Sequence, residues 1–282
     1  MGMDEQYVRD MDRLISKFIR ISKKFIDTSA FSYGMADLII HNKVTNKFTY
    51  DYEYFVLTKS TRTLESIRQL IHIDKFEDVI ILIRSIFENY LSCRYLNQND
   101  EKIKEFIFNP LGLALAYYNL DNNGNVVNRN KEKIGTIENP NKFKLGKDKN
   151  YYYKYYDFLS RFTHCNFGVI ECYYDVEKPN GIFYYDKINY DVHSRLFVIF
   201  TFTKLFEHIV TVEGEEFKDI ATEKQCYDLV DESLKLQEEI FRYLIDSHSN
   251  TKEIYKFSDK RMREMLKEMK KSLKEELGNI KK

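Results

Sequence analysis

The chain of 282 residues has a 34.0 kDa mass and 43% hydrophobic content, which supplies a full core and excludes a disordered polymer. Ten glycines and three prolines are too few for a β-sandwich or a loop-rich α/β enzyme, so composition favours long helices. Forty-four basic residues balance forty-four acidic ones; no global field draws the chain to nucleic acid or a membrane, and any such binding must use a local patch.

Residues 1–13 are charged throughout and lack the apolar core of a signal peptide. Apolar positions Val8, Met11, Ile15, Phe18, Ile19 and Phe25 recur every three or four residues and predict an amphipathic helix over 3–27, with Arg9, Arg13, Lys17, Lys23 and Lys24 on the solvated face. A short helix is expected from Ser32 to Ile40, and a long one from Tyr50 to Ile73. Asp74 is the expected N-cap of the helix that follows. That helix, residues 77–96, is apolar nearly all round and so belongs in the centre of the fold.

Residues 101–120 read as a helix broken at Asn109-Pro110, because proline suits a first turn and disrupts an interior. The stretch 121–149, rich in Asn, Gly and Lys, is expected to be one long loop. A helix resumes over 151–164. Next, Phe167–Val176 and Gly181–Asp186 flank a Lys-Pro-Asn-Gly turn signal and predict a small hairpin. Helices are expected over 191–212, mostly apolar, and over 217–247. The tail 251–282 carries eleven Lys or Arg against six Asp or Glu, with Met262, Met265, Leu266, Met269, Leu273 and Leu277 on one stripe. Such a basic amphipathic helix docks on the body, on a second subunit, on an acidic partner or on RNA. The expected fold is therefore all-α: one multi-helix, bundle-like domain over 1–250 with a small β-hairpin insertion, followed by a C-terminal amphipathic helix.

No apolar run approaches the ~20 residues that span a bilayer, and Cys93, Cys165, Cys172 and Cys226 form no Cys-x-x-Cys pair. Together these point to a reduced, cytoplasmic protein. Twenty-two tyrosines, twenty-one phenylalanines and no tryptophan match the coding bias of an AT-rich bacterial or mobile-element genome. Tyrosine clusters such as 151–156 are thereby weakened as evidence of base stacking.

Two constellations stand out. Arg84 and Glu88 lie four apart in the middle of the apolar helix, on one face. Buried charges need partners, so the two must pair with each other or with something packed over them. One reading is an anion clamp through Arg84 with a base at Glu88; the other is an ion pair that fixes helix register. Tyr156, Ser160 and His164 follow each other at four-residue spacing, aligned along one helical face. His164 has the chemistry of a general base or acid, with Ser160 or Tyr156 orienting it or serving as nucleophile; the plainer reading is a capping or core-bonded histidine.

Ile83-Arg84-Ser85-Ile86-Phe87-Glu88, followed by Tyr156-x-x-x-Ser160-x-x-x-His164-x-Asn166, resembles the prokaryotic domain-of-unknown-function family numbered 5677, across about residues 55–210. The resemblance implies an all-helical fold and a site with Arg84, Glu88, Ser160 and His164 as the reacting groups and Tyr156 and Asn166 as substrate contacts. It names no reaction. Cys165-Asn166 stands where the family usually has proline after the histidine. A second resemblance, to helical HEPN nucleases with their metal-independent Arg-x(4–6)-His site, rests on Arg242 and His248; with thirteen arginines and six histidines, about one such match arises by chance.

No phosphate loop, dinucleotide fingerprint, nucleophile elbow or zinc helix is present in the sequence, so no cofactor and no metal is expected. Two functions remain open. One is a cytoplasmic effector acting on RNA or a nucleotide in bacterial antiviral defence or toxin systems. The other is a non-enzymatic helical interaction protein whose Arg-Glu and Ser-His groups are a buried network, with a second copy or partner protein engaged through 251–282.

Overall fold

Helix dominates because apolar residues recur at helical spacing in segments that glycine and proline seldom interrupt. The computed structural model describes residues 3–29, 33–41, 45, 47–137, 149–164, 167–175, 182–183, 190–212, 219–248 and 256–280. Among these the helices are α1 Met3–Ser29, α2 Tyr33–His41, α3 Phe48–His72, α4 Phe76–Gln98, α5 Asn109–Ala114, α6 Lys149–Thr163, α7 Asp191–Val212, α8 Ile220–Ser247 and α9 Lys256–Ile280. The all-α expectation holds, and apart from 101–120 the expected helices are found within a few residues of their predicted bounds.

The two nearly all-apolar helices form the middle. α4 buries Val79, Ile80, Ile83, Ile86, Phe87, Leu91 and Cys93, and α7 buries the unbroken run Leu196–Phe206. They pack on each other, with α3 against both, α1 bridging α3, α7 and α8, and α6 covering a further side of α4. α9 lies across α8 and α6, and its stripe Met262, Met265, Leu266, Met269 and Leu273 is buried. The tail thus docks on its own body. Lys204, a buried cation in α7, donates to Ser272 Oγ of α9 at 2.9 Å and sits 5.0 Å from the Phe200 ring centroid.

Four local expectations are corrected. Asp74 does not cap α4; the N-cap is Lys75, without a side-chain bond. Instead Asp74 adopts φ 57°, a left-handed conformation. Its N–H reaches Ile71 O at 3.2 Å and that of Lys75 reaches Leu70 O at 2.9 Å, the paired bonds of a Schellman stop that usually places glycine there.

The segment 101–120 is less regular than a broken helix. It holds a 3-10 turn at Asp100–Lys102 and a π turn at Lys104–Phe108 before α5, where Pro110 does sit in the first turn. Residues 119–136 are not loop but an antiparallel meander: β1 Asn119–Leu120, β2 Asn125–Val127 and β3 Lys133–Thr136, in that order. Its first turn is set by Asp121, whose carboxylate accepts the Asn123 and Asn125 N–H groups at 2.9 and 2.8 Å, and by Gly124 at φ +74°.

The predicted hairpin is present as β4 Tyr174–Asp175 paired antiparallel with β5 Ile182–Phe183. Residues Phe167–Cys172, expected as part of its first strand, form a 3-10 helix instead. Its Lys-Pro-Asn-Gly turn and residues 138–148 of the expected long loop lie outside the described residues.

Candidate functional site

Arg84 and Glu88 point from α4 toward α6, and the helix packed over them supplies their partners. Arg84 spreads its guanidinium across three acceptors: Nε donates to Glu88 Oε1 at 3.0 Å, Nη1 to Thr163 Oγ1 at 2.5 Å and Nη2 to the Tyr156 hydroxyl at 2.9 Å. The Tyr156 hydroxyl in turn donates to Glu88 Oε1 at 2.9 Å, which closes a ring of Arg84, Tyr156 and Glu88. The guanidinium carbon also lies 5.0 Å from the Tyr156 ring centroid. The conflict legible in the sequence, two charges inside an apolar helix, is resolved by this cluster.

The electrostatics follow from the geometry. Burial acts to lower the Arg84 pKa, but the bonds to Tyr156 and the charge of Glu88 outweigh it and hold the group above its ordinary value. Burial raises the Tyr156 pKa, helped by the Glu88 carboxylate that accepts its hydrogen bond, while Arg84 opposes the shift. The phenol therefore stays protonated and donating. Arg84 and Glu88 side chains are 18% and 28% exposed, so the cluster has a solvent edge at the carboxylate.

The other expected site residues are placed differently. Ser160 lies on the same face of α6, but its hydroxyl donates to the Tyr156 carbonyl of its own helix at 2.6 Å. His164 follows the last residue of α6 and is exposed; no hydrogen bond among the described residues joins it to Arg84, Glu88 or Ser160. Asn166 lies outside the described residues, as does Cys165.

Thr163 is the member that sequence reasoning missed. It stands seven residues after Tyr156, on the same helical stripe, and that spacing was the available signal. Its hydroxyl also donates to the Ser160 and Leu159 carbonyls, at 3.0 and 3.3 Å. Arg242 and His248 are engaged elsewhere: Arg242 Nη2 lies 3.6 Å from Glu238 Oε1, and His248 Nε2 lies 2.8 Å from His193 Nε2. Among the described residues no group of three or more His, Cys, Asp or Glu is placed to hold a metal ion, and no helix is long and apolar enough to cross a membrane.

A second buried polar cluster surrounds the far end of α4. Glu53, 2% exposed, accepts from Asn97 Nδ2 at 3.3 Å, with His208 Nε2 at 3.6 Å and the Cys93 thiol raised in pKa by burial and by the Glu53 charge. A thiol so held is inert as a nucleophile.

No curated protein and no solved structure matches the chain. Residues 50–182, which hold Arg84, Glu88, Tyr156 and Thr163, match the model of the Family of unknown function (DUF5677), the family that the Arg84–Glu88 and Tyr156–His164 segments resemble.

Proposed function

We propose that the protein is a non-enzymatic helical interaction module, and that Arg84, Glu88, Tyr156 and Thr163 are the latch holding α6 on α4. One observation carries this reading: three of the five N–H groups of the Arg84 guanidinium, one on each nitrogen, donate to side chains of the protein itself. A phosphate arriving there would meet a charge that Glu88 already neutralises at 3.0 Å. A clamp for a substrate anion keeps its donors aimed at the substrate.

The test is a comparison of Arg84→Ala and Arg84→Lys by chemical denaturation and amide exchange. Removal of the guanidinium strands Glu88 beside an apolar helix, and a cost of about 2 kcal/mol is expected, below the 3–5 of a fully buried pair because the cluster has a solvent edge. Lysine cannot reproduce the three-way fork and should recover less than half of it. Exchange should quicken across α6 before the rest of the chain. An Arg84→Ala protein as stable as wild type would end the latch reading.

A second reading is favoured by the exposure of Glu88, 28% at the side chain, with only Oε1 engaged among the described residues. On that reading the protein is a cytoplasmic effector acting on RNA or a nucleotide in bacterial antiviral defence or toxin systems, with the carboxylate as base. Growth of cells expressing wild type, Glu88→Gln and His164→Ala separates the two. The module reading expects all three to grow alike. Arrest by wild type, relieved by Glu88→Gln at unchanged melting temperature, would favour the effector.

A further inference from the structure

The outer face of α3 concentrates positive charge for which the described residues supply no paired carboxylate. Phe55, Lys59, Arg62, Ser66 and Gln69 recur at helical spacing along it and extend over about 21 Å at 1.5 Å per residue, and with Thr58, Thr63, Glu65 and Arg68 they line an open groove of about 710 Å³. Glu65, the groove's carboxylate, is held by Lys23 of α1. Among the described residues no carboxylate pairs with Lys59, Arg62 or Arg68. Lys59, Arg62 and Gln69 are exposed, and Phe55 is 60% exposed at one end.

We propose that this face binds single-stranded nucleic acid, with Lys59, Arg62 and Arg68 on the phosphates, Gln69 as a further donor and Phe55 under a base. Charge complementarity selects a polyanion, and the absence of an apolar centre selects which kind. A protein partner needs a desolvated apolar core within its footprint, whereas Phe55 stands at the end of an otherwise polar row. Interfaces with nucleic acid are polar and positively charged throughout. One aromatic beside a track of cations is the arrangement that stacks a splayed base while the backbone is held electrostatically. A duplex keeps its bases stacked inside, so Phe55 favours a single strand. With a formal net charge of zero over the whole chain, the groove is the kind of local patch such binding requires. The inference does not use the Arg84 cluster and stands or falls separately from it.

The test is fluorescence anisotropy of the full chain with a labelled oligo(U) of about 12 nucleotides, titrated from about 50 to 200 mM salt. Three phosphate contacts give a slope of log affinity against log salt near −2, at ~0.7 per contact for a single strand. Lys59→Glu with Arg62→Glu, on a solvated face, should keep the melting temperature, weaken binding more than tenfold and reduce the slope to about −0.7. Phe55→Ala should weaken binding at least fivefold without changing the slope. Lys260→Glu, on the exposed side of α9, should change nothing. Wild type that fails to bind at low salt, a double variant that binds as well as wild type, or poly-glutamate that displaces the oligonucleotide at equal charge would each overturn the proposal.

Discussion

Tyr156 is the residue on which the α4–α6 cluster turns, since its hydroxyl accepts from Arg84 and donates to Glu88 at the same 2.9 Å. Tyr156→Phe keeps the ring under the guanidinium and removes only that bridge, so a loss of about 1–2 kcal/mol is expected by urea denaturation. Combined with Glu88→Gln the losses should fall short of additive, because both act on Oε1. A different residue ties stability to pH. His193 faces His248 across 2.8 Å and packs against the Tyr190 and Phe197 rings. Burial, and then the charge His248 would carry, lower its pKa to about 3. The folded state thus leaves His193 neutral where the unfolded chain, titrating near 6.5, takes up a proton. Its contribution is fully present above pH 6.5 and is lost as pH falls toward 3, at up to about 1.4 kcal/mol per pH unit. Denaturation midpoints measured at pH 7 and pH 5 should fall in wild type, and the fall should shrink in His193→Asn.

At the scale of the element, the helices were legible because their apolar spacing is regular, while the departures arise where backbone conformation overrides side-chain pattern. Asp74 looked like an N-cap because it precedes an apolar run. It belongs instead to the stop of α3, in a left-handed conformation, where an L residue bears a cost that glycine lacks. Asp74→Gly should stabilise the protein by up to about 1 kcal/mol, and a loss of stability on denaturation would show that the Asp74 side chain contributes more than its backbone costs. The β1–β3 meander escaped detection for a related reason: two- to four-residue strands are too short for alternation to register, and Asp121 and Gly124 read as loop when they close a hairpin turn. Within the candidate site, Arg84 and Glu88 were legible because charge inside an apolar helix demands partners. The bond of Ser160 to the Tyr156 carbonyl was not legible, because four-residue spacing shows which face a hydroxyl lies on and not whether it bonds to its own backbone. Thr163 was missed because a threonine at a helix end carries no such demand.

For the whole molecule, the question is whether α9 is an appendage or part of the core. Its basic amphipathic pattern left docking on the body, on a second subunit or on a partner open; Leu266 and Met269 are fully buried and Met265 and Leu273 nearly so, and the helix contacts both α6 and α8. It therefore backs the same helix that the Arg84 cluster holds from the other side, with the Lys154–Glu268 ion pair at 3.8 Å joining α6 to α9. α6 is clasped between α4 and α9, and each clasp should depend on the other. Leu266→Ala removes a buried side chain and should cost about 2–5 kcal/mol. If the clasps are coupled, the loss in Leu266→Ala with Tyr156→Phe will differ from the sum of the single losses by more than the ~0.5 kcal/mol expected of independent distant sites. Strict additivity would instead mean that α6 is held twice over and that α9 could leave the body without releasing the α4–α6 cluster, the condition under which its apolar stripe could serve a second copy of the chain.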